Sequence, residues 1–203
     1  MRGFHTGLRY LHETCPHMRK AVGLYGNPKS RKRDPGFGTL VRIIIDQQVS
    51  VQAGAAIWNR LETAAGAVTP ATIEKLGESG LRQAGLSGAK ARYVLGIADA
   101  INGGTLDLAH LHRCREEKIF RELTALKGIG RWTAEIYMMF ALGKPDILPV
   151  GDIALQSAAG RLLGLEGRPG PIEFEEIGER WRPYRSVASI MLWHFYKKMP
   201  AVR

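Results

Sequence analysis

Cysteine is scarce in this chain, since Cys15 and Cys114 are the only two among 203 residues. Two thiols cannot build a disulfide framework, and they cannot supply the four thiolates that an iron–sulfur cluster requires. We therefore expect two reduced thiols and no iron–sulfur cluster. His12 and His17 lie near Cys15, but this group lacks a fourth ligand, so no zinc site is expected there.

Long hydrophobic runs are missing as well. No stretch approaches the roughly 18 consecutive apolar residues of a membrane-spanning helix, and residues 1–36 contain no apolar segment of the signal-peptide kind. The sequence therefore predicts no membrane association and a cytoplasmic location.

Acidic residues are fewer than basic ones. The chain has 19 Asp and Glu against 29 Lys and Arg, which gives a formal net charge of +10. This excess attracts a polyanion, which can be nucleic acid or an acidic surface, and charge alone does not choose between them. The densest basic run, KSRKR at 29–33, lies between two prolines and is typical of a solvated loop, so we assign it no role.

The alternating pattern of β-strands between hairpin turns is also absent. Apolar residues instead recur every three or four positions, and Ser50 and Ser87 precede such segments as candidate N-caps. The pattern predicts an all-α fold with short connections. The predicted helices cover 37–47, 51–65, 89–102, 116–126, 131–142, 153–163, 171–181 and 186–198, with a weaker helical segment at 6–25 that breaks at Pro16.

Two glycines interrupt the boundary between two predicted helices, in the segment LKGIGRWTA at 126–134. We expect Gly128 and Gly130 to need positive φ or a close approach that excludes a Cβ. Unpaired N–H groups at the start of the second helix, together with Lys127 and Arg131, could then bind a phosphate. An ordinary helical hairpin with a glycine C-cap would produce the same pattern.

Asp152 ends the segment LPVGD, about twenty residues downstream of the glycine turn, and directly precedes a predicted helix. Aspartate is a favoured N-cap, so a purely structural role would account for this residue. A carboxylate is also the group that stabilises a developing positive charge in a reaction. The residue types alone leave both interpretations open.

Taken together, LKGIGRWTA and LPVGD resemble the helix-hairpin-helix and Gly/Pro…Asp signature of the HhH-GPD DNA glycosylase superfamily. The branch that the chain resembles most is bacterial 3-methyladenine DNA glycosylase II. Three further segments resemble that branch in the same order, and together the similar segments cover most of residues 37–198. These further segments are LVRIIIDQQVSV at 40–51, GLSGAKARYVLGIADAINGGTL at 85–106 and ERWRPYRSVASIMLWHFY at 179–196.

The resemblance implies two helical lobes with the active site in the cleft between them. One lobe would comprise residues 37–143 and carry the helix-hairpin-helix, and the other would join 1–36 to 144–203 and carry the catalytic aspartate. Larger members have an additional N-terminal β-rich domain, which we do not expect in a chain of this length. The family also implies a monomer that needs no cofactor.

The implied activity is removal of alkylated bases, such as 3-methyladenine and 7-methylguanine, from double-stranded DNA. Asp152 matches the catalytic aspartate, which stabilises the oxocarbenium-like sugar and positions or deprotonates the attacking water. Relatives that also cut the strand carry a lysine where this chain has Trp132, because their amine forms a Schiff base with the sugar. The resemblance therefore implies a monofunctional hydrolase without lyase activity.

The resemblance also assigns a base pocket. Trp132 would stack on the extruded base, and its π face would attract the positive charge of an alkylated base. Trp193 matches another aromatic position of the pocket. Ile136 stands where the family often has a tyrosine, which implies a wider and more apolar pocket.

Gln48 matches the position of the usual leucine wedge, which fills the gap left by an extruded base, and Gln47 would support it. In this superfamily, backbone carbonyls of the hairpin hold a sodium or potassium ion. The matching carbonyls here belong to Thr124, Leu126 and Ile129.

Two alternatives stay open. The chain could be a helix-hairpin-helix module that binds DNA without catalysis, or a glycosylase for other damaged bases, such as oxidised or mismatched ones. The missing lysine and the missing cluster cysteines weaken the second alternative. Both the enzyme and the binding module predict duplex binding that weakens with salt.

Overall fold

A computed structural model of the chain describes residues 3–200. Within that range the regular structure is helical and contains no β-strand, which confirms the prediction of an all-α fold. The α-helices are α1 Phe4–Thr14, α2 Pro16–Tyr25, α3 Phe37–Asp46, α4 Val51–Ala65, α5 Pro70–Gln83, α6 Gly88–Asn102, α7 Leu108–Leu111, α8 Glu116–Thr124, α9 Arg131–Phe140, α10 Ile153–Leu163, α11 Pro171–Gly178 and α12 Arg185–Lys198, with a 3₁₀ turn at Glu179–Trp181.

The predicted helices are all present, most of their ends coincide with the prediction, and the others differ from it by one to three residues. Ser50 and Ser87 act as the predicted N-caps, because their hydroxyls accept hydrogen bonds from the N–H groups of Ala53 and Lys90 at 3.1 and 3.3 Å. None of the helices within residues 3–200 has the length and apolar character needed to cross a membrane.

Helix α5 was not predicted from the sequence. Thr69 and Thr72 form a capping box at its start. Gly77 interrupts the helix with a φ of 62°, so the apolar spacing on the two sides of this kink does not follow a single helical period. The short helix α7 was missed as well.

The chain divides into two compact units, and one of them comprises residues 33–142 with helices α3 to α9. Its core includes the apolar side of α3, where Leu40, Val41, Ile44 and Ile45 are fully buried. Helix α9 is buried along most of its length, from Thr133 to Phe140. A helix that is buried on nearly all sides is a rigid support for the turn that precedes it.

The hydroxyl of Tyr137 ties α9 to the start of α3. Its oxygen accepts a hydrogen bond from the N–H of Gly36 at 3.0 Å, and the side chain is fully buried. Burial raises the pKa of this hydroxyl, and the Gly36 hydrogen bond offsets only part of that rise. The folded protein therefore holds the phenolic proton more tightly than the unfolded chain does.

Replacement of Tyr137 by Phe is expected to lower the free energy of unfolding by about 1–3 kcal/mol at neutral pH, because it leaves the Gly36 N–H without its acceptor. Above the ordinary tyrosine pKa of 10.0, the unfolded wild-type chain loses its proton first. The advantage of the wild type over Tyr137→Phe should therefore shrink as the pH rises beyond that value. Denaturant unfolding of both proteins between neutral and alkaline pH checks this, and a constant difference would contradict it.

The other unit contains the described parts of residues 1–32 and 143–203, with helices α1, α2 and α10 to α12. Helix α12 is buried from Ser186 to Leu192. Helix α1 approaches it closely at Gly7, where a Cβ would lie 2.8 Å from Val187 Cγ2. Trp181 is fully buried and meets Phe174 edge to face, with ring centroids 6.1 Å apart. The assignment of the two units as lobes of one active site stays a prediction.

Candidate functional site

The glycine turn lies between the end of α8 at Thr124 and the start of α9 at Arg131. Gly128 has a φ of 92°, and a Cβ on it would lie 2.3 Å from Tyr93 Cγ in α6. Gly128 therefore has both of the properties that were predicted for it. The prediction is wrong for Gly130, which has extended backbone at φ −85° and ψ 178° and no atom within 4 Å of the position that a Cβ would occupy. The reason is that Gly128 faces α6, whereas Gly130 faces open space.

The open space at Gly130 lies at the N-terminus of α9. Gly130 is the N-cap residue and provides no side-chain hydrogen bond to the first turn. The positive end of the helix dipole and the exposed side chain of Lys127 lie at the same turn. The turn therefore has the local properties of an anion-binding site.

Arg131, which the sequence predicted as a cation for the phosphate, forms an ion pair within its own helix. Its Nε donates to Glu135 Oε1 at 2.8 Å, one helical turn along α9, and its guanidinium lies 6.0 Å from the ring centroid of Phe120. Glu135 is buried, and it was not predicted as a site residue. Part of the charge of Arg131 is thus committed to Glu135, so Lys127 is the better placed cation for a phosphate at the turn.

The loop between α3 and α4 contacts the glycine turn through Gln47. Its Nε2 donates to Thr133 Oγ1 at 2.8 Å and to the carbonyl oxygen of Gly128 at 3.3 Å. Gln48, the next residue, is exposed and has a φ of 53°, which makes it the one non-glycine residue with positive φ among residues 3–200. Thr133 was not predicted as a site residue.

Lys90 holds the same loop from α6. Its ammonium group donates to the carbonyl oxygens of Ile45 and Gln47 at 2.8 and 2.6 Å, which satisfies acceptors at the C-terminal end of α3. Burial lowers the pKa of Lys90, while the charge of Asp46 acts in the opposite direction. Lys90 was not predicted from the sequence because its partners lie more than forty residues away in the chain.

Asp152 is the N-cap of α10. Its Oδ1 accepts a hydrogen bond from the N–H of Leu155 at 3.0 Å, and its own N–H donates to the carbonyl of Pro149 at 3.0 Å. The capping interpretation is therefore confirmed. The side chain is partly buried, and the cap fixes its orientation.

Gln156 secures the segment that leads to Asp152, although it was not predicted as a site residue. Its Nε2 donates to the carbonyl oxygen of Val150 at 2.6 Å, and Arg168 Nη1 donates to its Oε1. The side chain is buried, with 2% of its surface exposed. A buried polar residue on an otherwise apolar helix face was the signal that could have identified it.

The predicted base-pocket residues belong to different units. Trp132 and Ile136 lie four residues apart on α9, which places them on the same side of that helix. Trp132 is partly buried and Ile136 is buried with 6% exposure. Trp193 is partly buried on α12, in the same unit as Asp152.

The predicted cation ligands lie along the end of α8 and the glycine turn. The carbonyl of Leu126 accepts a hydrogen bond from the N–H of Ile129 at 3.1 Å and keeps a second lone pair for a cation. The hydroxyl of Thr124 donates a hydrogen bond to the carbonyl oxygen of Phe120 at 2.8 Å. The described residues contain no group of three or more His, Cys, Asp or Glu side chains that could hold a metal ion. The cation at the hairpin stays a prediction.

The sequence matches a known protein family. Residues 41–183 match the model of the HhH-GPD superfamily base excision DNA repair protein. A putative DNA-3-methyladenine glycosylase of Bacillus subtilis, YfjP, is 32% identical over 165 residues, which cover 77% of this chain and 58% of that protein. The chain therefore spans little more than half the length of this relative.

Two further comparisons cover more of the length of the similar protein. DNA-3-methyladenine glycosylase 1 of Schizosaccharomyces pombe is 28% identical over 187 residues, which cover 90% of this chain and 82% of that protein. The solved structure of the 3-methyladenine DNA glycosylase Mag1 of the same yeast, in complex with abasic DNA, superposes with a TM-score of 0.85. That superposition has 27% identity and covers 93% of this chain and 95% of the other.

Proposed function

Because the chain belongs to the HhH-GPD superfamily of base excision DNA repair proteins, we propose that it is a DNA glycosylase that removes alkylated bases from double-stranded DNA. The proposed substrates are bases of the 3-methyladenine and 7-methylguanine type. The observation that carries the proposal is the likeness over 93% of the chain to a 3-methyladenine DNA glycosylase solved with abasic DNA. We further propose that the protein acts as a monomer in the cytoplasm.

In the proposed complex, the glycine turn binds the DNA backbone. The amides at the start of α9 and the exposed Lys127 would hold a phosphate, and Gly130 leaves room for it. A sodium or potassium ion on the carbonyls of Thr124, Leu126 and Ile129 would add positive charge there. Gln48 would enter the duplex as the base leaves it, because it is exposed and next to the loop contact with the turn.

The extruded base would bind among Trp132, Ile136 and Trp193. A base alkylated at a ring nitrogen carries positive charge, and indole faces attract such cations more than neutral bases. The smaller aliphatic side chain of Ile136 would leave space for bulkier adducts. Selectivity would therefore come from charge and stacking rather than from hydrogen bonds to one particular base.

Asp152 would supply the chemistry. As the bond between C1′ and the base nitrogen breaks, its electron pair goes to the base and positive charge develops on the sugar, where a fixed carboxylate stabilises it. Water then adds to C1′, and its proton passes to the carboxylate or to solvent. The alkylated base is already a good leaving group, so no cofactor is required. The cap to Leu155 keeps the carboxylate in one orientation and lowers the cost of its reorganisation.

The enzyme is proposed to be monofunctional. By the family resemblance, Trp132 matches the position of the Schiff-base lysine in strand-cutting glycosylases, and an indole cannot act as that nucleophile. Its product would be an abasic site in an intact strand.

A panel of duplexes tests substrate class and monofunctionality together. Each carries one alkylated, oxidised or mismatched base, and each reaction is analysed with and without alkali. We expect release of the alkylated bases, with strand breaks that appear only after alkali. Strand cleavage without alkali would contradict the monofunctional assignment, and preferred release of an oxidised base would contradict the substrate class.

A non-catalytic DNA-binding module is the second candidate function. The observation that favours it is the hydrogen bond from Leu155 to Asp152, because a structural cap is a sufficient reason for an aspartate at this position. The two functions differ in whether Asp152 is needed for anything other than the fold.

A further inference from the structure

Three side chains, from Gln47, Thr133 and Lys90, hold the loop between α3 and α4 that contains the exposed Gln48. Gln47 reaches across to Thr133 Oγ1 and to the carbonyl of Gly128, and Lys90 donates to the carbonyls of Ile45 and Gln47. Thr133 is buried, with 3% of its surface exposed, in the first turn of α9. These contacts join three elements that lie far apart in the sequence.

The backbone next to these contacts is strained. Gln48 has a φ of 53°, a region that side chains with a Cβ adopt only when the surroundings enforce it. Its own side chain is exposed and cannot provide that enforcement. The groups that hold the carbonyl and the side chain of Gln47, directly before it, are Lys90 and Thr133.

We infer that Lys90, Gln47 and Thr133 form a brace that sets the position of Gln48 relative to the phosphate-binding turn, and that Lys90 and Thr133 are positioning residues for base extrusion. The inference rests on the proposed function. A wedge must enter the duplex at a fixed distance from the gripped phosphate. If the brace is lost, the turn still binds DNA but the wedge samples other conformations, so extrusion becomes less favourable.

The matched variants are Thr133→Val and Thr133→Ser. Valine has nearly the same shape as threonine but offers no acceptor to Gln47 Nε2, whereas serine keeps the hydroxyl. Gln47→Leu removes the donor of the same hydrogen bond. Because Gln47 is only partly buried, the fold tolerates a substitution there more easily than at Thr133.

Two readouts separate positioning from chemistry. The first is the fluorescence of a 2-aminopurine placed beside an abasic-site analogue, which rises when the wedge unstacks it and requires no bond breaking. The second is the single-turnover rate of 3-methyladenine release from two duplexes, one with a normal opposite base and one with an abasic site opposite the lesion. The unpaired lesion is easier to extrude and depends less on the wedge.

We expect Thr133→Val and Gln47→Leu to lower release from the paired duplex roughly tenfold, as the loss of one hydrogen bond would. Both variants should lose most of the fluorescence rise, and their rates of release from the unpaired lesion should stay within about twofold of the wild-type rate. The double variant should release the base no more slowly than the single variants. Thr133→Ser should behave as wild type. Lys90→Met should likewise slow release from the paired duplex more than release from the unpaired lesion.

Equal losses of release rate on the two duplexes, or no loss on the paired duplex, would contradict the proposed brace. If the wild type raises the fluorescence but releases no base, the proposed chemistry fails, and the variants still test the brace through the fluorescence. A wild type that produces no fluorescence rise would overturn the brace as well.

Discussion

Asp152→Asn should strongly slow base release and leave duplex binding intact. Asparagine caps a helix about as well as aspartate, so the hydrogen bond from Leu155 and the fold of the segment are expected to persist. The amide cannot stabilise the positive sugar, and removal of one such electrostatic group costs about 10²–10³-fold in rate. The measurement is single-turnover release of 3-methyladenine, together with the affinity for duplex that contains a neutral abasic-site analogue.

Asp152→Ala provides the matched comparison. Alanine removes both the charge and the cap, so it should lose the same activity and also about 0.5–2 kcal/mol of stability. Release by Asp152→Asn at the wild-type rate would mean that the carboxylate serves only as the cap. The DNA-binding module would be the better interpretation only if the wild type itself released no base.

Gly128→Ala should have the largest effect on stability. The new Cβ would lie 2.3 Å from Tyr93 Cγ and 2.6 Å from Tyr93 Cβ, at a φ of 92° that alanine rarely adopts. These are atoms at the base of the tyrosine side chain, which cannot move aside without α6. Overpacking and backbone strain together are expected to lower the free energy of unfolding by about 2–4 kcal/mol, as measured by denaturant unfolding.

Gly130→Ala is the matched control on the same turn. Its Cβ meets nothing within 4 Å, and its backbone is extended, so the stability should change by less than about 1 kcal/mol. The added methyl group would instead occupy the space proposed for a phosphate and weaken duplex binding. The roles assigned to the two glycines would be contradicted if Gly128→Ala lost no more stability than Gly130→Ala.

The helices were predictable because their determinants are local. Apolar spacing marked the buried faces of the predicted helices, and the serine caps at 50 and 87 marked the starts of α4 and α6. The missed helix α5 shows the limit of local patterns, because Gly77 divides it into two parts too short to reveal a helical period. The turn at Gly128 was predictable because a glycine at a helix boundary is typical of a backbone that needs positive φ.

The supporting residues of the site were not predictable in the same way. Lys90, Thr133 and Gln156 act through contacts to residues that are distant in sequence or hidden in the core, and no local pattern encodes such pairings. Gly130 was misjudged because sequence does not show which side of a turn faces the protein. Buried polar residues within apolar helix segments, such as Glu135 in α9, were the available signal.

The central claim is that the carboxylate of Asp152 acts on the positively charged sugar. The most direct test compares the affinities of the wild type for two duplexes, one with a protonated pyrrolidine and one with a neutral tetrahydrofuran in place of the sugar. We expect the wild type to prefer the cationic analogue by roughly tenfold or more, and Asp152→Asn to bind both within about twofold. Equal binding by the wild type, or a preference that survives in Asp152→Asn, would contradict the account.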